Sequence, residues 1–207
     1  MNLKLISVLA AGLLSATPAF ANSVTIDFEG VGSFSSVDGY YNGGTDSNGG
    51  SGTNVGIYFG LDALGLSNDA AGTYFSNAPS PGTVMAPVGL DAALSSLLGF
   101  TQASFYYSSN AVAYVSVFSG LNGTGDLLGT TSLLANAMNG CSDSPFCSWS
   151  LATLDFTGIA HSIQFGTAAG AAGFDNVNIS VSEPSTAWLW MTAIAGFGVF
   201  ARRKRSA

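Results

Sequence analysis

The chain has 207 residues, with 12 acidic residues against 5 basic ones and a formal net charge of −7. The basic residues are Lys4, Arg202, Arg203, Lys204 and Arg205, so nothing from Leu5 to Ala201 can neutralise a phosphate, while all 12 carboxylates fall between Asp27 and Glu183. This excludes an electrostatically driven nucleic-acid binder and surface ion-pair networks, and the length suits one or two domains.

The amino terminus reads as a secretory signal peptide over residues 1–21. Lys4 is the positive n-region, residues 5–14 are the apolar h-region, and Ala19-Phe20-Ala21 is an A-x-A cleavage site before Asn22. About ten apolar residues fall short of the roughly 20 needed to cross a bilayer, which excludes a membrane anchor here.

Residues 22–181 form the expected body, an all-β domain with no sustained 3.6-residue period. Alternation of β-branched and aromatic residues predicts strands at 24–28, 55–59, 83–87, 103–107, 112–118, 127–134, 149–156, 159–165 and 174–181. Their spacing suits a two-sheet β-sandwich of about eight or nine strands. Asn122-Gly123, flanked by Gly120 and Gly125, predicts a hairpin turn between two of them. Residues 91–98 read as a short helix or a loop, and the glycine-rich stretch 39–52 as a long surface loop. Cys141 and Cys147, the only cysteines, are expected to form a disulfide in an exported chain.

Few residues suit catalysis. His161 is the only histidine and shares strand parity with Ile159, Ile163 and Phe165, which reads as a structural role. No Gly-x-Ser-x-Gly elbow is present. The chain is therefore expected not to be an enzyme. The competing class is a secreted glycan-active hydrolase using a carboxylate pair in a cleft. Tyr40, Tyr41, Tyr58, Tyr106 and Tyr107 are candidate stacking faces for a sugar, although strand alternation sends at least half of such residues inward.

Because the body carries its carboxylates without any lysine or arginine, a hard cation with oxygen ligands would relieve their repulsion. Asp27, Glu29 and Asp175 are the expected ligands of a structural calcium ion, provided the first and last strands are adjacent. The alternative places Asp175 at the start of a strand and Glu29 in solvent. Asp46-Ser47-Asn48-Gly49-Gly50 starts like a calcium loop but has Ile57 where the distal glutamate belongs, and reads as a flexible loop.

The end of the chain, residues 182–207, has three parts. Ser182-Glu183-Pro184-Ser185-Thr186 is followed by residues 187–201, apolar except for Thr192, and then by Arg202-Arg203-Lys204-Arg205. As a helix the apolar run spans about 22 Å, which Trp188, Trp190 and snorkelling arginines extend toward the ~30 Å of a bilayer core. The four cations form a stop that keeps the carboxyl terminus in the cytoplasm and the body outside. This order of elements resembles the PEP-CTERM sorting signal of Gram-negative bacteria, with Ser182 in place of the first proline. The resemblance implies an exosortase-like processing enzyme as partner, a transient stay in the inner membrane through the tail, and then a place at the cell surface or in the extracellular matrix. It also implies an association with exopolysaccharide and biofilm.

The body carries short motifs that resemble a recurring ectodomain type of that family: Ile26-Asp27-Phe28-Glu29-Gly30, Tyr41-Asn42-Gly43-Gly44-Thr45-Asp46, Ser80-Pro81 and Gly173-Phe174-Asp175-Asn176-Val177. First and last strands with Phe-Glu-Gly and Phe-Asp-Asn are also similar to jelly-roll carbohydrate-binding modules. That similarity implies a jelly-roll-like sandwich with structural calcium at the same acidic residues. The expected function is structural or polysaccharide-associated.

Overall fold

The computed structural model describes residues 22–69 and 71–181. The signal-peptide expectation with Ala19 and Ala21, and the sorting-tail expectation over 182–207, lie outside the described residues.

Ten strands follow one another along the chain: β1 (Asn22–Ile26), β2 (Ile57–Phe59), β3 (Ala63–Ser67), β4 (Thr83–Pro87), β5 (Ala93–Ser109), β6 (Ala113–Phe118), β7 (Leu127–Leu133), β8 (Ser150–Leu154), β9 (Ala160–Gln164) and β10 (Ala172–Val181). The only helix among the described residues is a 3₁₀ turn at Gly166–Ala168. The all-β expectation holds.

The strands form one hydrogen-bonded network, ordered β3-β4-β10-β5-β9-β6-β7, with β1 beside β10 and with β2 and β8 beside β5. Every pairing is antiparallel. The expected separation into two sheets is corrected in one respect: β5 belongs to both. Its first half pairs with β2 and β9, its second half with β8 and β10, and the register shifts between Ser95 and Phe100. Gly99 sits within that shift with φ +70°, a conformation that costs glycine little and other residues much. The segment 91–98, expected as helix or loop, is mostly this strand.

The bend folds the network over its main core. Phe105 of β5 meets Phe165 and Phe174 at centroid distances of 5.6 and 5.3 Å, and Phe28 meets Phe59 at 5.6 Å. All five rings are buried, each contributing roughly 1.5–3 kcal/mol of transfer free energy. Asn122 and Gly123 turn the β6–β7 hairpin with φ of 55° and 67°, and the Thr124 amide donates to the Leu121 carbonyl at 3.1 Å. This is the primed turn expected from the dipeptide.

The 39–52 loop is folded down onto the body. Tyr40 and Tyr41 are buried, as is Asp46, whose Oδ1 accepts from the Asn48 and Gly50 amides at 2.9 and 2.7 Å while Oδ2 accepts from Gly32 at 3.0 Å. Its carboxylate therefore organises the loop as an internal anion within a nest of N–H groups. Cys141 and Cys147 form the expected disulfide. Nearby, Trp149 donates from Nε1 to the Ser76 carbonyl at 2.9 Å and packs with Phe75 and Phe146 in a small second cluster.

Candidate functional site

Alternation along β5, β8 and β10 sends Ala103, Phe105, Leu154, Val177 and Ile179 into the core and leaves a polar outer face. The register aligns that face into rows. Thr25, Asn178, Ser104 and Thr153 stand opposite one another across β1, β10, β5 and β8, and Ser23, Ser180 and Gln102 form the next row. Asn178 is held in place: Ser23 Oγ donates to its Oδ1 at 2.9 Å, and its Nδ2 donates to Thr25 Oγ1 at 2.8 Å.

Above this floor lies a groove of about 770 Å³, lined by residues of β5 and β10 together with Leu128 and residues 153–157. Leu128 and Phe156 supply the larger apolar side chains, and Phe156 is braced edge-to-face on buried Phe100 at 5.8 Å. The polar lining comprises Thr101, Gln102, Ser104, Thr153, Thr157, Asn178 and Ser180, with Asp155 its one carboxylate. The set offers hydroxyl and amide donors and acceptors on a rigid sheet, and no cation. His161 is elsewhere, its Nδ1 2.9 Å from the Ser96 carbonyl, which is the structural role expected of it.

The three acidic residues expected to bind calcium are brought to one loop. Fully buried Asp175 accepts from the Ser80 amide at 2.7 Å on one oxygen, and from Ser80 Oγ and the Asn176 amide, each at 2.7 Å, on the other. Glu29 Oε1 accepts from the amides of Gly82 and Thr83 at 2.8 and 3.2 Å. Asp27 Oδ1 accepts from the Glu29 amide at 3.1 Å, and its carbonyl lies 2.9 Å from Ser80 Oγ, sharing with Asp175 the one proton of that hydroxyl. The first and last strands are adjacent, as that expectation required. Both Asp175 oxygens, Glu29 Oε1 and Asp27 Oδ1 thus serve N–H or O–H donors, and the set forms a clasp that ties the 79–83 loop to both strands. Burial pushes the Asp175 carboxyl above the usual carboxylate range, against the lowering effect of its three donors.

Beside this clasp is a smaller cavity of about 300 Å³ bounded by Asp27, Glu29, Tyr40 and Tyr41. Tyr40 donates to the Glu29 carbonyl at 3.2 Å, whereas the buried Tyr41 hydroxyl has no partner among the described residues. Burial first, and the Asp27 carboxylate second, hold the Tyr41 phenol well above its ordinary range.

Of the tyrosines considered as stacking faces, Tyr40, Tyr41 and Tyr107 are buried, and Tyr58 and Tyr106 are half-buried. The groove residues Gln102, Ser104 and Asn178 carried no individual signal in the sequence. Their one trace is the polar half of the alternation whose apolar half predicted the strands.

No family model and no curated protein matches the chain. Among solved structures it is similar to a family 6 carbohydrate-binding module from Clostridium stercorarium in complex with cellobiose, at 16% identity and a TM-score of 0.38 over 61% of this chain and 86% of that one. It is similar to a glycoside hydrolase family 43 arabinoxylan arabinofuranohydrolase from Bacillus subtilis in complex with cellotetraose, at 16% identity and a TM-score of 0.39 over 60% of this chain and 26% of that one. A third is the C-terminal family 6 module of a marine laminarinase from Zobellia galactanivorans, at 10% identity and a TM-score of 0.37 over 77% of this chain and 99% of that one. Likeness at this level leaves function to be argued from the groove itself.

Proposed function

We propose that this protein is an exported, non-catalytic β-sandwich that holds a neutral polysaccharide in the groove over β5, β8 and β10. The observation that carries the reading is the composition of that groove: hydroxyls and amides on a fixed sheet, apolar Leu128 and Phe156, and a single carboxylate. Such a surface can exchange hydrogen bonds with sugar hydroxyls and cover the C–H faces of the rings. Charge selects among polysaccharides. With 12 carboxylates and no lysine or arginine from residue 5 to residue 201, the chain repels a polyuronate and has no cation to pair with it. A hydrolase of the two-carboxylate kind needs a second acid facing Asp155, and the groove lining supplies one carboxylate.

The address segments complete the proposal. The signal peptide exports the chain, and the PEP-CTERM-like tail holds it in the inner membrane of a Gram-negative cell until an exosortase-like enzyme releases it to the cell surface or matrix.

Affinity electrophoresis of the purified full-length protein tests the central claim, with hydroxyethylcellulose as the neutral polymer and alginate as the anionic one. Retardation by the first and not the second is expected, with partial loss in Gln102→Ala and Asn178→Ala. Unretarded migration in neutral polymers, or retardation by alginate alone, would overturn it.

A further inference from the structure

Six residues other than glycine have positive φ among the described residues: Phe28, Phe34, Asp38, Asn77, Asn122 and Asn176. Asn and Asp tolerate the left-handed region, but a phenylalanine there is strained. Phe28, at φ 61°, is fully buried, so core packing compensates for its backbone. Phe34, at φ 60°, is 60% exposed and has no such compensation. Asparagine or glycine would serve the backbone better, and any polar residue would serve the solvent better.

The backbone around Phe34 is fixed. Its amide donates to the Gly65 carbonyl at 2.7 Å, Ser36 bridges to Leu64, and Ser67 Oγ donates to Ser33 Oγ at 3.1 Å. The segment lies so close over β3 that a Cβ on Gly65 would stand 2.8 Å from Val31 Cγ1 and 2.9 Å from the Gly32 carbonyl. Phe34 therefore projects from a clamped loop. Its ring meets that of Tyr74, itself 40% exposed, at 5.6 Å and 80°. An edge-to-face contact covers one face of one ring, which leaves aromatic surface open next in the chain to Ser33, whose hydroxyl accepts from Ser67. None of these residues lines the groove.

We propose that the Phe34–Tyr74 corner is a second saccharide-binding site, which stacks the C–H face of a neutral pyranose ring on exposed aromatic surface and bonds its hydroxyls through Ser33, Ser67 or Tyr74. The proposal takes its ligand class from the groove reading, but its residues are separate.

The test uses the full-length protein with cellotetraose in calorimetry and hydroxyethylcellulose in affinity electrophoresis. Phe34→Gly and Tyr74→Ala are each expected to remove one of two cellotetraose sites in calorimetry, leaving that of the groove, and to lessen retardation in hydroxyethylcellulose. Because glycine adopts φ near +60° without strain, Phe34→Gly is also expected to keep or raise the melting temperature, so that binding is lost from a chain at least as stable. An unchanged number of cellotetraose sites in Phe34→Gly, while Asn178→Ala loses affinity, would overturn this site and leave the groove reading intact. Loss in Phe34→Gly with none in Asn178→Ala would support this site and overturn the groove. A melting temperature several degrees lower in Phe34→Gly would make Phe34 a structural residue. A dimer that becomes monomeric in Phe34→Gly would make the corner a contact between copies. Either result would overturn the proposal.

Discussion

Replacing Asp175 by asparagine keeps the size of the side chain and changes what its atoms can accept. In the native clasp both carboxylate oxygens are acceptors, one for the Ser80 amide and the other for Ser80 Oγ and the Asn176 amide, each at 2.7 Å. An asparagine can place its oxygen at only one of those positions. If it keeps the two-donor side, its NH₂ faces the Ser80 N–H, and a buried donor is left opposed by another donor at a cost of about 1–3 kcal/mol. The two surviving bonds also fall from charge-assisted to neutral strength, roughly 1 kcal/mol each. Burial outweighs the donors in setting the carboxyl's range, so relief from burying the charge offsets much of this and a net loss of about 1–2 kcal/mol is expected. For a body of this size that is a fall of about 2–8 °C in melting temperature, read by thermal circular dichroism at neutral pH.

The sign with pH follows from the same site. Folding raises the Asp175 carboxyl, so its contribution to stability is fully present below the unfolded carboxylate range and is lost as pH rises through the raised value. The gap between the native chain and Asp175→Asn should therefore widen as pH falls. A variant that melts within about 2 °C of the native protein, or above it, would show that no buried donor depends on the second oxygen, and would refute the clasp.

Asp46 should behave in the opposite sense. Burial pulls its carboxyl up, but the Gly32, Gly50 and Asn48 amides, with the Ser35 hydroxyl nearby, outweigh burial and hold it below the usual range. Its stabilisation is present above the unfolded value and is lost as pH falls through the folded one, so Asp46→Asn should flatten the acid limb of the stability profile. Removing the short disulfide by Cys141→Ser with Cys147→Ser should cost roughly 2 kcal/mol by loop-closure entropy, a fall of about 4–8 °C. Calcium chloride and EDTA should leave melting unchanged within about 1 °C, since both Asp175 oxygens, Glu29 Oε1 and Asp27 Oδ1 already have donors. A rise of several degrees with calcium would instead support the ligand role expected for Asp27, Glu29 and Asp175.

What could be read from the sequence was set by how cleanly one side of each strand is buried. The alternating apolar residues of β1, β6 and β10 marked those strands within a residue or two, and Asn122-Gly123 marked its own turn. β3 was missed because Gly65 interrupts it. That glycine, a break signal in isolation, is there because the 31–36 segment crosses directly above it. β5 was recognised only in its second half, because its opening residues Ala93, Leu94, Ser95 and Ser96 are all buried, which erases the two-residue period. The low-complexity loop looked mobile because composition reports few apolar side chains, whereas its order comes from one carboxylate collecting three amides. The acidic trio was legible as a cluster only on the condition, taken from the jelly-roll resemblance, that the first and last strands are adjacent. Its partners in the 79–83 loop were not, since backbone N–H groups leave no mark on side-chain pattern.

The pairing of β1 with β10 has a consequence for how the molecule comes into being. Ser23 bonds to Asn178 across 155 residues of sequence, and β5 waits on β8, β9 and β10 for most of its ladder. Contacts this distant place the chain among slow folders, in the millisecond-to-second range, because loop-closure entropy is lost before pairing can compensate. A nascent chain that lacks its last strand has no partner for its first. Closing the body therefore waits on β10, whose residues are among the last of the described segment to be made.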